Sequence, residues 1–392
     1  MQERWRALLI LAGARTSMGF QFQAPASVSP GLMADLGLGY GELGTLIGLY
    51  FLPGVLIALP GGALGRRFGD ARVVSAGLGL MALGGGLTAV ATDAALLAAG
   101  RLVSGVGAVL LNVLMAKMVA DWFAGQRDLT LAMAVFVNSF PVGVGLAMLT
   151  LAPLAALAGW AAGLAASAGF ALAALVLLRI LYHRHPNDGA GAAFGPGGLW
   201  LLSGREAVLV SLAGIMWGIF NGAFGVMFGF APALLARAEV APALAGLLVA
   251  AATWLVVVSA HGGGVLAQRG GRDGWLMLAG TIGWACCLVL LAAEPGLEAV
   301  ALLAAGLLMG LPIGVVMSLP ARVLRPENRA IGMGLFYVWL YVGHGGLPPL
   351  AGWLGDLTGS LAAPLLLAAA LVAAMLPLFL LFRRVVPRAS TG

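Results

Sequence analysis

The chain alternates between long apolar runs and short polar breaks, and this pattern continues along nearly its whole length. A helix needs about 20 residues to cross the hydrocarbon core of a bilayer, and each apolar run is about that long. The pattern therefore predicts about twelve membrane-spanning helices. Their expected ranges are 6–29, 42–64, 73–92, 94–117, 129–151, 156–180, 206–233, 242–267, 275–293, 297–320, 330–354 and 361–383.

The longest polar, glycine-rich break follows the sixth predicted helix and reads YHRHPNDGAGAAFGPGGLWLLSGRE. It divides the chain into two parts of similar length. We expect an all-α membrane protein with an N-terminal six-helix bundle over 1–181, a hinge loop over 182–204 and a C-terminal six-helix bundle over 205–392.

Composition supports this fold class. Hydrophobic residues make up 61% of the chain, charged residues 9%, and the mean hydropathy is +1.02, whereas about a quarter of a soluble domain is charged. The chain shows no nucleophile paired with a base, no cluster with metal-ligand spacing and no phosphate-binding loop. Cys286 and Cys287 are adjacent in an apolar run, where they form neither a metal site nor a disulfide framework. We predict no enzyme activity, cofactor, metal or nucleic-acid partner.

The basic residues indicate an orientation. All but three of the 21 Lys and Arg residues fall on one side of the predicted helices. Arg237 lies on the other side, and Arg15 and Arg101 lie within helices. Because cytoplasmic loops carry the excess of basic residues, we expect a multi-pass protein of the cell inner (cytoplasmic) membrane with both termini in the cytoplasm. Arg15 interrupts the first apolar run, so we expect that helix to be retained rather than cleaved as a signal peptide.

An internal repeat relates the two parts of the chain. The segment GALGRRFG that begins at Gly62 returns as GVLAQRGG 202 residues later, and Arg67 thereby corresponds to Arg269. Gln21 and Asn221 are related by a similar offset. Such a parallel repeat is typical of transporters built from two bundles related by an axis along the membrane normal.

Two motifs carry a family resemblance. The loop after the second helix matches a Gly-x-x-x-acid-Arg-x-Gly motif at Gly62, Arg67 and Gly69, and the fourth helix matches Arg-x-x-x-Gly-x-Gly at Arg101, Gly105 and Gly107. With twelve spans and a central hinge, the chain resembles the major facilitator superfamily. The resemblance implies a monomeric secondary transporter in the lipid bilayer that works by alternating access around a site at mid-membrane.

The loop motif departs from the family pattern in one respect. Arg66 stands at the acid position, and an aspartate, Asp70, follows Gly69 instead. The family's loop is thought to latch the cytoplasmic side, so Asp70 or Asp121 takes the acid's part on one interpretation. On the other, the loop arginines only enforce topology.

The candidate substrate-binding residues are polar groups within the predicted spans. Arg15 lies near mid-membrane on the first helix, one of those that line the cavity in the family, and an arginine in hydrocarbon usually faces a cavity. We expect Gln21 and Gln23 on nearly the same face, and Tyr337, Tyr341 and His344 on one face of the eleventh helix. Asn138 and Asn221 complete this set. Arg101 has a structural interpretation and a substrate-binding or gating one. His344 is a candidate for packing or for contact with substrate or a proton, and His261 for packing or for carrying a proton.

These residues favour an anion as substrate. No carboxylate lies in the apolar part of any predicted span, and arginine binds carboxylates through two parallel hydrogen bonds. The segments GARTSMGFQFQ, DWFAGQRD and LPARVLRPENRAIGMGLFYVWLYVG resemble the cyanate-permease-like branch of the superfamily. We expect a transporter of a small carboxylate or cyanate-like anion, with protons as a candidate coupling ion. The alternative is an exporter of uncharged or amphipathic compounds.

Overall fold

The computed structural model describes residues 3–186, 188–189, 202–268, 272–293, 296–325 and 328–385, and these form fifteen α-helices with no strand among them. The N-terminal half contains α1 (Glu3–Ser27), α2 (Ser29–Leu36), α3 (Tyr40–Gly48), α4 (Gly54–Phe68), α5 (Asp70–Ala89), α6 (Ala94–Trp122), α7 (Leu129–Ala158) and α8 (Trp160–Leu181). The C-terminal half contains α9 (Gly204–Arg237), α10 (Pro242–Gln268), α11 (Asp273–Ala293), α12 (Glu298–Met309), α13 (Ile313–Ser318), a 3-10 turn (Pro320–Arg322), α14 (Arg329–Thr358) and α15 (Ala362–Val385).

The predicted spans are found in order. Each corresponds to one long helix or to a pair of consecutive helices, and within the described residues nine segments are long and apolar enough to cross a membrane. The other three positions are filled by α1, by α3 with α4, and by α14. The protein is an all-helical membrane protein, as the hydropathy pattern predicts.

Two spans are broken, so the prediction of continuous helices over 42–64 and 297–320 is wrong at these points. The α-helix of the second span stops at Gly48 and resumes at Gly54 after Pro53, and that of the tenth stops at Met309 and resumes after Pro312. Proline has no N–H to donate, and its ring clashes with the preceding turn. Hydropathy does not register this effect because proline leaves the run apolar.

Other helices are longer than predicted. The helix α7 continues to Ala158 and α6 to Trp122, and α14 is 30 residues long. Hydropathy marks the apolar part of a helix, whereas the backbone hydrogen bonds continue into its polar ends.

Glycines bring α9 and α14 into backbone contact. A methyl group on Gly343 would clash with the backbone of Gly218, and one on Gly214 or Gly218 would clash with Trp339. Small residues allow close helix approach where lipid supplies no hydrophobic driving force. The helix α14 is thereby fixed against its own half while its other face remains available to the N-terminal half.

The two halves meet mainly where α3 and α4 contact α14 and where α7 contacts α10, with smaller contacts of α1, α2 and α3 with α9. We call the end of the bundle at which α1 begins the terminal side and the opposite end the far side. The helix α8 ends at Leu181 and α9 begins at Gly204. The segment between them includes 187 and 190–201, which lie outside the described residues, so the three-part division at 181 and 205 stays a prediction.

Candidate functional site

The side chain of Arg15 lies at mid-depth in the bundle. It is twelve residues into α1, or about 18 Å from the terminal side at about 1.5 Å per residue. Its Nη1 donates to Oδ1 of Asn112 on α6, and its Cζ lies 4.7 Å from the ring centroid of Phe136 and 5.9 Å from that of Phe140, both on α7. Its Nε is buried without a hydrogen-bond partner among the described residues. The guanidinium is therefore held by a neutral amide and two aromatic faces, with donor capacity left over.

Asn112 connects this cation to the other half. Its Nδ2 donates to the hydroxyl of Tyr341 on α14 at 3.1 Å. Asn112 is not among the residues predicted from the sequence, because a single asparagine in the apolar run LLNVLM carries no motif. Its one signal is an amide placed ten residues before the end of α6, at the same depth as Arg15.

His344 lies one turn beyond Tyr341, inside an aromatic cluster. Its ring stacks on Phe51 with centroids 4.2 Å apart and contacts the edge of Phe22 at 5.0 Å, and Phe51 in turn lies 6.2 Å from Tyr341. The side chain is 3% exposed, and its Nε2 has no hydrogen-bond partner in the part of the chain that the structure describes. Tyr341 and His344 thus share a face, as predicted, and both face the N-terminal half.

Two other candidates lie away from Arg15. The Nε2 atom of Gln21 donates to the carbonyl of Met81 on α5 at 2.8 Å, and Nδ2 of Asn221 donates to the carbonyl of Trp217 in its own helix at 2.8 Å. Six residues at about 100° each place Gln21 about 120° around α1 from Arg15, so the expectation of a nearly shared face does not hold for it.

Gln23 and Asn138 lie where the halves touch. The amide of Gln23 donates to the carbonyl of Phe228 on α9 at 2.8 Å, and the amide of Asn138 on α7 is 3.3 Å from Nε2 of His261 on α10. The first contact lies towards the far side and the second towards the terminal side. Both side chains therefore connect the halves.

Arg101 donates to backbone carbonyls of two neighbouring helices, one of which a proline leaves without its usual partner. Its Nη1 donates to the carbonyl of Gln21 at 2.9 Å, and that carbonyl lacks its usual partner because Pro25, four residues later, has no N–H. Its Nε donates at 2.7 Å to the carbonyl of Leu46, in the last turn of α3 before the break at Pro53. The side chain is 2% exposed. This geometry corresponds to the structural interpretation of the motif arginine.

The glycines of the same motifs allow close packing. Gly105 leaves no room for a methyl group against the carbonyl of Tyr50, and Gly107 packs against the backbone of Gly77 on α5. Gly69 has φ +88° in the turn between α4 and α5, a conformation that favours glycine. Gly62 lies within α4, Arg67 is exposed at its end, and Arg269 lies outside the described residues.

Asp70 forms an ionic cluster on the terminal side. Its carboxylate is 1% exposed and accepts from Nζ of Lys117 at 2.6 Å and from the N–H of Gly189 at 3.2 Å, and Lys117 also contacts Asp121 at 2.9 Å. Asp188, beside Gly189, accepts from the N–H of Ala71. These contacts tie α5 and α6 to the segment after α8, within the N-terminal half.

Replacing Asp70 tests this cluster. We expect Asp70→Ala to lower the free energy of unfolding by about 2 to 4 kcal/mol, because it leaves a partly buried ammonium with one carboxylate fewer and an N–H unpaired. Thermal unfolding of the purified protein measures the effect, with Asp128→Ala as a control, since Asp128 forms a more exposed ion pair with Arg4. Equal stability of the two variants, with transport unchanged, would show that Asp70 has no such role.

The far side is closed by a carboxylate. Asp356, in the last turn of α14, accepts from the backbone N–H groups of Tyr40 and Gly41 at 2.6 and 2.7 Å, where α3 begins. A methyl group on Gly39 or Gly41 would meet the Asp356 carboxylate. A carboxylate at a helix N-terminus is electrostatically favourable, so this contact holds the two halves together at that end.

The described acidic residues lie near the two ends of the bundle, whereas Arg15 lies at mid-depth. The described carboxylates lie at helix ends or in connections, none of them near Arg15, and no group of three or more metal-ligating side chains occurs among the described residues. Arg15 is thus a mid-depth cation beside a neutral partner, between two helical halves. That architecture defines a polytopic helical membrane protein with a central polar site, a class that includes secondary transporters.

The comparisons with known proteins agree with that class. The model of the Major Facilitator Superfamily matches residues 9–237, more than half of the chain, and the chain belongs to this family. This family indicates a membrane transporter, in agreement with the nine described segments that are apolar enough to cross a bilayer.

Individual relatives are distant. The chain is 25% identical over 141 residues to a "Major facilitator superfamily multidrug transporter mfsC" of Aspergillus fumigatus, an alignment that covers 36% of this chain and 27% of that protein. Among solved structures, a bacterial homologue of the human lysosomal transporter Spinster, inward-facing and unoccupied, has a TM-score of 0.82 at 13% identity, with 98% of each chain covered. The nucleoside transporter NupG has a TM-score of 0.78 at 13% identity, with 97% of this chain and 100% of that chain covered. At these identities the structures show the fold alone.

Proposed function

We propose that this transporter moves a small anion, such as a carboxylate or a cyanate-like ion, across the cell inner membrane by alternating access, with Arg15 as the residue that binds the anion. The observation that carries the proposal is the Arg15 guanidinium, held at mid-depth by the neutral amide of Asn112 with its Nε buried and unpartnered among the described residues. A cation desolvated in this way gains strongly from an anionic partner.

The neighbouring residues receive supporting roles in this proposal. Tyr337 and Tyr341 contribute hydroxyl groups beside Arg15, and His344 is the group that carries a coupling proton if transport is proton-linked. Gln23 and Asn138 contact the substrate or the C-terminal half as the halves move, whereas Gln21 and Asn221 support α1 and α9. Both termini lie in the cytoplasm in this scheme, and the protein acts as a monomer.

A second candidate is export of uncharged or amphipathic compounds. The aromatic rings of Phe22, Phe51 and Phe140 around His344 and Arg15 favour it, because such rings suit apolar ligands. The distant relative that is a multidrug transporter also favours it. The two candidates differ in whether the charge of Arg15 is needed.

Ligand-dependent thermal stability of the purified protein distinguishes them. Formate, benzoate, cyanate and nitrate are compared with uncharged drugs, and a ligand at 100 times its dissociation constant adds about 2.7 kcal/mol to the stability. We expect at least one anion to stabilise the wild type and to lose this effect in Arg15→Ala, with Arg15→Lys intermediate because the ammonium lacks the planar fork.

The control for charge is Arg72→Ala, which removes an exposed arginine next to Asp70 and the same net charge. It should keep the response to anions. Stabilisation by uncharged compounds alone, equal in the wild type and Arg15→Ala, would overturn the anion proposal and support export.

A further inference from the structure

We infer that Asn112 determines the charge selectivity of the site: it orients Arg15 without neutralising it, and so leaves the Nε–Nη2 edge of the guanidinium for an oxyanion. This inference rests on the proposed function and adds a residue to it. Asn112 is a positioning residue, because it acts on the substrate through Arg15.

Only one of the three nitrogens of the Arg15 guanidinium has a described hydrogen-bond partner. Nη1 is engaged by Oδ1 of Asn112, whereas Nε is buried without a partner and no partner is described for Nη2. A guanidinium binds a carboxylate best through two parallel N–H groups on one edge. The edge opposite to Asn112 consists of Nε and Nη2, so the amide and an oxyanion bind Arg15 at the same time.

The hydrogen-bond partner of Arg15 is a neutral amide, that of Asn112. An amide accepts through its oxygen and donates through its nitrogen, and Asn112 uses both, towards Arg15 and towards the hydroxyl of Tyr341 at 3.1 Å. An aspartate of the same shape would accept from Arg15 equally well but would cancel its charge. The neutral amide therefore preserves a net positive site, and its second hydrogen bond reaches from the N-terminal half to α14.

The aromatic rings around Arg15 strengthen the electrostatic effect of the residue at position 112. The rings of Phe136 and Phe140 cover the guanidinium, and they supply no counter-ion while they reduce its access to water. Electrostatic interactions are strong where the effective dielectric constant is low. A carboxylate at position 112 would consequently repel a bound anion strongly.

The experiment compares matched charged and neutral ligands. Dissociation constants are measured for formate against formamide and for benzoate against benzamide, in the wild type, Asn112→Asp, Asn112→Leu and Arg15→Ala. We expect the wild type to prefer each anion over its amide. In Asn112→Asp the affinity for the anion should fall at least about 100-fold, because the new carboxylate and the bound anion are like charges about 6 Å apart. The affinity for the amide should stay within about threefold or rise.

Asn112→Leu separates orientation from charge. It keeps the net charge of Arg15 and removes its hydrogen bond, so we expect about a tenfold weaker binding of the anion, with the preference for anion over amide retained. The control is Gln126→Glu, which makes the same change from amide to carboxylate beside an arginine, since Gln126 accepts from Arg4 on the exposed terminal side. It should leave both affinities unchanged.

The outcomes separate the two proposals. If Arg15→Ala abolishes anion binding but Asn112→Asp retains the wild-type preference for the anion, the role of Asn112 is refuted and the proposed function stands. If no anion binds the wild type, or if Arg15→Ala binds anions normally, the proposed function fails and the inference fails with it. A reversed preference in Asn112→Asp, with a thermal stability close to that of the wild type, supports both.

Discussion

Replacement of Arg101 by alanine is expected to lower the free energy of unfolding by about 3 to 5 kcal/mol, the magnitude typical of breaking a buried charged interaction. The guanidinium donates to three carbonyls, those of Leu46, Gln21 and Phe22, and lies over the ring of Tyr50 with Cζ 4.4 Å from its centroid. Each charge-assisted hydrogen bond contributes about 1.5 to 3 kcal/mol. The Arg101 side chain is 2% exposed, so we expect little water to replace the lost donors.

Thermal unfolding in detergent and in lipid nanodiscs measures this effect. Arg67→Ala, which removes an exposed arginine from the same half, is the control and should change stability by less than about 0.5 kcal/mol. Arg101→Lys keeps the charge but donates from one point, so we expect it to recover less than half of the loss. Equal stability of Arg101→Ala and Arg67→Ala would show that the carbonyls find other donors, and the structural role of Arg101 would then be abandoned.

Replacement of Asp356 by alanine is expected to open the far side more often. The variant loses both hydrogen bonds to the start of α3. Because the carboxylate is exposed, we assign about 1 to 2 kcal/mol to the pair, which corresponds to a 5- to 30-fold change in an equilibrium. Ile47 reports on this opening, since it is 1% exposed and packs against Gly229 of the other half.

The measurement is the rate at which an impermeant maleimide labels Ile47→Cys in a background with Cys286→Ser and Cys287→Ser. Labelling should accelerate by the same 5- to 30-fold in Asp356→Ala. Glu298→Ala is the matched control, because Glu298 lies on the far side but accepts from Gly296 within its own half. Identical labelling rates in Asp356→Ala and Glu298→Ala would mean that other contacts close this end.

The fold follows from the sequence wherever hydropathy determines it. The lengths and order of the spans need only apolar runs, and the place of Arg15 at mid-depth follows from its position in the first run. The interruptions at Pro53 and Pro312 depend on single missing N–H groups, which a hydropathy average does not register. Proline alone does not mark them either, because Pro141, Pro232 and Pro377 lie inside continuous helices.

The site is less predictable because it depends on contacts between distant segments. The shared face of Tyr341 and His344 follows from helical spacing, since both lie on α14. The partnership of Arg15 with Asn112 joins residues 97 positions apart, and no local periodicity encodes it. Arg101 is intermediate, because its motif is visible in the sequence but its partners become evident only once α1 and α3 are placed beside α6.

The continuous course of α14 has a mechanical consequence. This helix carries Tyr341 near its middle and Asp356 near one end, about 22 Å apart at 1.5 Å per residue, and it rests on Gly218 of α9 through Gly343. A tilt of about 10° around that contact would displace Asp356, about 20 Å from Gly343, by about 3 Å, which exceeds the 2.6 and 2.7 Å lengths of its hydrogen bonds to α3. If the helix pivoted at this pair of glycines, widening at one membrane face and narrowing at the other would be a single movement.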